Sequence, residues 1–193
     1  VLSKEAFEHD ISFKELTDII RRLIKIAENK NLVFGVKLTN TFPVKITRNE
    51  LQGNDMYMSG PPLYPFSINV AAMIAKEFNG DLPISYSGGA DVNNIKDILD
   101  TGIYPVTVST LLLKQGGYKN ITRLNEKCKD YKRGKITKIN VEKLEALASK
   151  SISDFNYSKN IKKKAEIKGG DYSEFCSKCK NCVDVCPNRS NKL

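Results

Sequence analysis

The sequence contains no uninterrupted apolar run of the roughly 18 residues that a membrane-spanning helix needs. Its first ten residues, VLSKEAFEHD, lack the apolar segment of a secretory signal peptide. The polar bias of disordered proteins is also missing, because 40% of the residues are hydrophobic and 27% are charged. These absences argue against a membrane protein, a secreted protein and a disordered chain, and we expect a cytoplasmic location.

The chain does not begin with methionine, and we expect it to be a fragment or a processed chain. Its 193 residues suffice for one ordinary domain with an appendage. Residues 1–117 contain 12 Lys/Arg and 13 Asp/Glu, whereas residues 118–193 contain 19 and 9. This imbalance predicts a nearly neutral globular body followed by a basic tail.

The basic tail admits three interpretations. Its lysine run at residues 162–164 lies in a polar segment with few aromatic residues, which is typical of a solvated linker. Nucleic-acid binding is another interpretation of a basic tail, but it is disfavoured because such runs are usually solvated. Docking of an acidic redox partner is the third interpretation. We therefore predict a linker, with a redox protein as a possible partner and no membrane contact.

Four of the five cysteines lie close together near the end of the sequence, with the spacing C-x2-C-x2-C-x3-C-P. They are Cys176, Cys179, Cys182 and Cys186. Bacterial ferredoxins use this run to hold a [4Fe–4S] cluster, whereas zinc sites usually join two C-x2-C pairs across a longer loop. Disulfides belong mainly to secreted proteins. The spacing favours a [4Fe–4S] cluster and leaves zinc and disulfides as weaker alternatives.

The ligand set of this cluster leaves one question open. Cys186 binds either the same cluster as the other three or a second cluster with ligands outside the sequence, because the fourth cysteine does so in two-cluster ferredoxins. The remaining thiol, Cys128, is predicted to be an ordinary buried or surface residue on a helix. Such a cluster implies electron transfer in a reducing compartment.

Upstream of the tail, strand and helix patterns alternate. Strands are predicted at residues 32–38, 83–87 and 104–108, and helices at 12–30, 66–78, 91–102, 118–132 and 140–150, with a short helix beginning at 109. Ser12 and Glu15 form a capping box, Asp91 is the predicted N-cap of its helix, and Gly102 follows that helix. Alternation of this kind is typical of parallel β/α units. The fold class is therefore α/β, either half of a (β/α)8 barrel or a small open sheet.

Two successive predicted strands end in residues that suit a phosphate group. Gly88 and Gly89 follow one strand, and Ser109 and Thr110 follow the next, where a helix begins. Glycines let backbone N–H groups approach an anion closely, and barrels commonly bind phosphate after two neighbouring strands. Each turn alone is also compatible with an ordinary strand–helix connection. The ordered pair favours a phosphate site.

Three further residues mark the connection between the first predicted strand and the next helix. Lys37 ends an apolar strand and would point into a barrel mouth, where a cation near a flavin ring stabilises its reduced anion; snorkelling to solvent is the alternative. Ser59 and Gly60 lie in "MSGPP", within a long connection at residues 39–65. Long connections in compact domains are commonly functional.

Four segments carry a resemblance to a known family. They are "FGVKLTNT", "DMYMSGPPLYPFSINVAAMIAKEFNGDLPISYSGGA", "DILDTGIYPVTVSTLLLKQGGY" and "CVDVCPNRSN". Together they closely resemble YgfK-like proteins, labelled as selenate reductase subunits. More broadly, the body looks like the C-terminal part of the (β/α)8 TIM barrel of flavin-dependent dihydroorotate and dihydropyrimidine dehydrogenases, followed by a short ferredoxin-like iron–sulfur motif.

The resemblance implies FMN at the barrel mouth. By position, Lys37 would contact the flavin, and Ser59 and Gly60 would approach the ring or ribityl chain. The phosphate would be held by Gly88, Gly89, Ser109 and Thr110. Asn40 lies where relatives place polar residues near substrate, but the proline that usually precedes it is absent. His9 also matches the family sequence, although a single loop histidine is more often structural or solvated.

This sequence departs from the family in what it omits. The early barrel strands, the catalytic loop with its Cys or Ser acid/base, and a nicotinamide site are not recognisable in it. We therefore predict three parts: a partial FMN barrel with C-terminal helices at residues 1–150, a polar basic linker at 151–175, and the cluster motif at 176–193. The missing barrel half would be a partner, supplied by the same or another chain.

The predicted function is part of a flavin and iron–sulfur oxidoreductase. Electrons would pass between a [4Fe–4S] cluster and FMN, with reduction or oxidation of a small N-heterocycle such as a pyrimidine or purine derivative. A non-catalytic iron–sulfur electron-transfer subunit, a selenate reductase component and a truncated remnant without activity remain as alternatives. The catalytic residues, the substrate and the direction of electron flow do not follow from the sequence.

Overall fold

A computed structural model describes residues 8–38, 41–46, 54–113, 117–131 and 138–157. The predicted cluster cysteines and Asn40 lie outside these residues. No helix within the described residues is long and apolar enough to cross a membrane.

Six α-helices carry most of the described structure. They are α1 Phe13–Glu28, α2 Tyr64–Glu77, α3 Ile95–Leu99, α4 Thr110–Leu113, α5 Lys119–Cys128 and α6 Val141–Ser153. The predicted capping box begins α1: the Glu15 N–H donates to Ser12 Oγ at 3.2 Å, and the Ser12 N–H donates to Glu15 Oε2 at 2.8 Å. Two 3-10 turns, Pro61–Leu63 and Phe155–Tyr157, complete the helical segments.

The predicted parallel sheet is present, but its strands are shorter than expected. Strand β1, Val36–Lys37, pairs in parallel with Ile84–Ser85, and Tyr86 forms a parallel bridge with Val106. Prolines lie at the start of both later segments, at positions 83 and 105, and cannot donate to a neighbouring strand. Residues 32 and 33 of the apolar run are 63% and 88% exposed, so the buried strand predicted there begins only at residue 36.

The long connection after β1 contains an antiparallel hairpin that the sequence analysis did not predict. Strand β2, Phe42–Lys45, pairs with β3, Asp55–Met58. Phe42 packs edge-on against Phe66 of α2, with ring centroids 5.7 Å apart, and this contact joins the hairpin to the helix. The Ile84–Ser85 strand is β4 in chain order.

The main core lies between the helix-facing side of the sheet and helices α2 and α6. Its fully buried side chains include Tyr64, Ile68, Ile84, Tyr86, Ile98, Ile103 and Leu144. The start of α6 is fixed because the Asn140 N–H donates to the Thr101 carbonyl at 2.8 Å and Asn140 Oδ1 accepts from the Lys143 N–H at 2.8 Å. Helix α6 continues through Ser153, and Tyr157 is only 6% exposed. The described start of the predicted linker thus belongs to the folded body.

Helix α3 differs from its prediction at one end. Asp91 is not its N-cap, because the helix begins at Ile95 and the capping position is Asn94. Asp91 instead closes the preceding turn, where its Oδ1 accepts from the Asn93 N–H at 2.7 Å. Gly102 follows the helix with φ of 96°, as predicted for a residue just past a C-terminus.

Candidate functional site

The two predicted phosphate turns line one cavity of about 290 Å³. Because β4 and the Val106 segment run parallel, their carboxyl ends meet at the same edge of the sheet. The residues lining the cavity are Gly60, Pro61, Ser87, Gly88, Gly89, Ala90, Asp91, Val92, Asn93, Thr107, Ser109, Thr110, Leu111 and Arg123. Five of the seven predicted cofactor-binding residues, Gly60, Gly88, Gly89, Ser109 and Thr110, are therefore brought together.

Lys37 and Ser59 do not line this cavity. Both are exposed. Lys37 pairs with Ser85 across β1 and β4, while Val36 and its partner Ile84 pack into the core. Since successive side chains alternate across a strand, Lys37 and Ser85 share the sheet face opposite the helices. Lys37 therefore lies at the carboxyl edge that the cavity also occupies, on the face away from the core.

Gly60 and Gly89 hold two loops in contact where any side chain would collide. Gly60 has φ of 73°, and a Cβ there would lie 2.9 Å from Cγ2 of Thr110. Gly89 also has φ of 73°, and a Cβ there would lie 2.6 Å from the backbone N of Tyr64 and 2.7 Å from the Gly60 carbonyl oxygen. Positive φ combined with such close approach requires glycine. The cavity is thus closed on one side by backbone rather than by side chains.

The side chain of Asn94 holds the glycine turn in place, a role that was not predicted from the sequence. Its side chain is 1% exposed, its Nδ2 donates to the Gly89 carbonyl at 3.0 Å, and its Oδ1 accepts from the Asp91 N–H at 2.8 Å. Both hydrogen bonds are partly buried and hold the backbone between residues 89 and 91. The only sequence signal is an asparagine five residues after the glycine pair, which does not distinguish this role from helix capping.

Arg123 is the second cavity residue that the sequence analysis missed. It lies on α5 and its Nη1 donates to Asn120 Oδ1 at 3.2 Å. Asn120 is 2% exposed, and its Nδ2 donates to the Leu111 carbonyl at 3.0 Å, which joins α5 to α4 at the cavity wall. No local motif predicts the role of Arg123. It reaches the cavity because α5 packs on α3 through Leu124, Ile95 and Leu99.

The remaining sequence candidates lie away from the cavity or outside the described residues. His9 is an exposed residue in the turn before α1. Cys128 is half-buried beside the α3–α5 cluster, and desolvation raises the pKa of its thiol, as expected for a packing residue rather than a ligand. Among the described residues, no group of three or more His, Cys, Asp or Glu side chains could hold a metal ion.

Contact between Gly60 and Thr110 predicts a measurable coupling between two loops. Gly60→Ala is expected to destabilise the chain by about 2–3 kcal/mol, from the positive φ and the collision with the Thr110 methyl group. Thr110→Ser removes that methyl group, so the double variant should recover about 1 kcal/mol of the loss. Urea denaturation followed by circular dichroism measures all three variants.

Thr107→Ser is the matched control for this cycle. Thr107 also lines the cavity, but the three atoms nearest to a Cβ at Gly60 all belong to Thr110. Its double variant with Gly60→Ala should be additive within about 0.5 kcal/mol. Additive losses for the Thr110 pair as well would contradict the contact between the two loops.

Comparisons with known proteins show the family of the chain. A protein-family model described as "Oxidoreductase YgfK, N-terminal TIM-barrel domain" matches residues 1–159. Over 152 residues, 79% of this chain, the sequence is 43% identical to the "Putative oxidoreductase YgfK" of Escherichia coli strain K12 and, to the same extent, to that of Escherichia coli O157:H7. The chain spans only about 15% of the length of these curated relatives. No solved structure matches it.

The family match confirms two expectations, the resemblance to YgfK-like proteins and the TIM-barrel class of the α/β body. The three parallel segments, with helices packed on one face, are what a piece of such a barrel contains. The chain belongs to the YgfK oxidoreductase family, in the region of its N-terminal TIM-barrel domain.

Proposed function

We propose that this chain contributes the phosphate-binding part of an FMN site to a flavin and iron–sulfur oxidoreductase. The observation that carries the proposal is the glycine-walled cavity at the carboxyl ends of two neighbouring parallel strands. In barrel enzymes this edge carries the active site, and phosphate groups commonly lie after two successive strands. The oxidoreductase family of the chain supports a redox cofactor at this edge.

The residues present fit a flavin mononucleotide in three respects. The cavity volume of about 290 Å³ lies at the lower end of small-molecule sites and suits a phosphate with part of a ribityl chain. Gly60 and Gly89, both at positive φ, let backbone form part of the wall, which favours close approach of a phosphate. Ser109 and Thr110, which also line the cavity, supply hydroxyl donors.

FMN, when bound, would supply hydride and single-electron transfer. The residues of this chain would hold and orient it. The glycine turn at Gly88 and Gly89 lets the backbone approach the phosphate, and the hydroxyls of Ser109 and Thr110 donate to its oxygens. Lys37, on the open face of the sheet, would place a cation toward the ring. Helix α4 contributes little, because its four residues form a single turn with a small dipole.

The iron–sulfur part of the proposal rests on the spacing of the four tail cysteines alone. We propose that they hold a [4Fe–4S] cluster that exchanges electrons with the flavin, and that residues after 157 form the linker to it. Such a flavin would serve the reduction of a small N-heterocycle when it is reduced, or its oxidation when it is oxidised, with the cluster supplying or accepting the electrons. A selenate reductase component is the weaker form of this proposal.

We further propose that the chain forms the C-terminal half of the barrel, with the remaining half as its partner. Two observations support this proposal. The described residues contain only three parallel segments, and the apolar residues Leu32 and Val33, shortly before β1, are 63% and 88% exposed. Strand β1 would accept a further strand on the edge that does not face β4.

Purification of the full chain under anaerobic conditions tests these proposals. We expect about one FMN released per chain on denaturation and about four iron atoms per chain, with the broad absorbance of a [4Fe–4S] cluster. Iron without flavin would contradict the FMN proposal and favour a non-catalytic electron-transfer subunit. Neither chromophore would contradict both, and zinc in place of iron would contradict the cluster.

Two cysteine variants sharpen the cluster test. Cys182→Ser should abolish most of the iron content, since a thiolate ligand is lost. Cys128→Ser is the matched control and should keep the iron content of the original chain, because Cys128 ends α5 and packs against the cluster of Ile95, Leu99 and Leu124. Equal iron loss in both variants would contradict the assignment of the tail motif as the ligand set.

A further inference from the structure

Arg123 reaches the cavity from a helix that lies far from the glycine turns in sequence, and a hydrogen bond orients its exposed guanidinium there. The guanidinium donates to Asn120, which is itself buried and tied to the Leu111 carbonyl of the cavity wall. Arginine loses less conformational freedom on binding when its planar group is held in advance. The hydrogen bond to Asn120 thus orients the guanidinium at the cavity wall before a ligand binds.

The charge of the cavity depends on this residue. Among the described residues that line it, Arg123 carries the only positive charge and Asp91 the only negative charge. Asp91 accepts from the Asn93 N–H at 2.7 Å, so its carboxylate is held in place at the wall. A phosphomonoester carries close to two negative charges at neutral pH. Without Arg123, a phosphoryl group would meet a net negative wall.

We propose that Arg123 is the counter-ion for a phosphoryl group in this cavity and the residue that selects a phosphorylated ligand over its dephosphorylated form. The inference deepens the FMN site proposed above and rests on it for the identity of the ligand. Guanidinium groups bind phosphate oxygens through paired, charge-assisted hydrogen bonds, which a neutral amide cannot replace. The backbone and hydroxyl groups shape the site, and Arg123 supplies its charge.

Binding of FMN and of riboflavin to the flavin-free full chain tests the inference. Both ligands share the ring and ribityl chain, and only FMN carries the phosphate. Arg123→Gln should weaken FMN binding about 10- to 100-fold, as for a lost charge-assisted hydrogen bond, and leave riboflavin binding unchanged. Arg123→Lys should lie between these values, because a point charge remains without the paired geometry. Flavin fluorescence quenching measures each dissociation constant.

Two further variants serve as controls. Arg22→Gln removes the same charge from an exposed position on α1, away from the cavity, and should leave both affinities unchanged. Asp91→Asn keeps the Oδ1 acceptor for the Asn93 N–H and removes the negative charge, so it should tighten FMN binding about 3- to 10-fold. Circular dichroism confirms that each variant keeps the original fold, which an exposed Arg123 should permit.

The outcomes separate the two levels of the proposal. Equal FMN affinity in the original chain and in Arg123→Gln would overturn the role of Arg123 and leave the FMN site standing. Binding of inorganic phosphate but not FMN, with loss of phosphate binding in Arg123→Gln, would overturn the FMN site and support Arg123 as the counter-ion. Binding of neither FMN nor inorganic phosphate by the original chain would overturn both.

Discussion

Gly89→Ala is expected to destabilise the chain by about 3 kcal/mol or more and to abolish ligand binding in the cavity. Two effects add. A residue with a side chain at φ of 73° is strained by about 1–2 kcal/mol. The new Cβ would also lie 2.6 Å from the Tyr64 nitrogen and 2.7 Å from the Gly60 oxygen. Both neighbours are backbone atoms, which cannot move aside as a side chain could, so the loops must separate.

Gly117→Ala is the matched control for this prediction. Gly117 also has positive φ, at 46°, but among the described residues a Cβ there would meet only the Leu112 carbonyl oxygen, at 3.8 Å. Its cost should be limited to the backbone strain of about 1–2 kcal/mol. Urea denaturation gives both values, and FMN titration follows the cavity. A Gly89→Ala loss no larger than that of Gly117→Ala would mean that the loops do not pack as closely as described.

The positions of the elements follow from local sequence patterns, and their lengths depend on residues at their ends. The three parallel segments and the helices between them lie where apolar runs and helical spacing predict. Prolines at positions 83 and 105 limit β4 and the Val106 segment at their starts. The missed hairpin of β2 and β3 has only four residues in each strand, and its sequence alternates too weakly to be distinguished from a polar loop.

The candidate site divides in the same way between local and distant contributions. Gly88, Gly89, Ser109 and Thr110 belong to short motifs at strand ends, so the sequence predicts that they meet. Asn94 and Arg123 depend on contacts beyond these motifs. Asn94 binds the Gly89 carbonyl, and Arg123 reaches the cavity from α5. No spacing rule links them to the glycines, because their positions depend on how α3 and α5 pack. Backbone features of the site are therefore predictable, and its supporting side chains are not.

Three buried tyrosines behind the cavity predict a loss of stability at high pH. Tyr64 packs between Tyr157 and Tyr86 with tilted rings, whose centroids lie 4.3 and 6.3 Å away. Desolvation raises the pKa of Tyr157 to about 12, with a smaller contribution from Asp91. Desolvation also raises the pKa values of Tyr64 and Tyr86 well above their usual range. The native state therefore keeps these hydroxyls protonated where the unfolded chain ionises them.

The sign of the effect follows from proton binding. Below pH 10 the tyrosines are protonated in both states, and their contribution is constant. Between pH 10 and 12 the unfolded state binds fewer protons than the native state, so the free energy of unfolding falls as pH rises. A pKa of about 12 in place of 10 makes Tyr157 alone responsible for about 2 kcal/mol by pH 12. Tyr64 and Tyr86 add to this loss, which is large against a typical total stability of about 5–15 kcal/mol.

Alkaline titration should consequently show cooperative unfolding. We expect tyrosinate absorbance and the loss of helical circular dichroism to rise together between pH 10 and 12. Tyr157→Phe should move that midpoint upward, whereas Tyr118→Phe, at a position that is 78% exposed, should leave it unchanged. Because the Tyr64 backbone touches the Gly89 turn, FMN binding should be lost in the same transition. Gradual ionisation of all eight tyrosines near pH 10 with the fold intact would contradict the burial of this cluster.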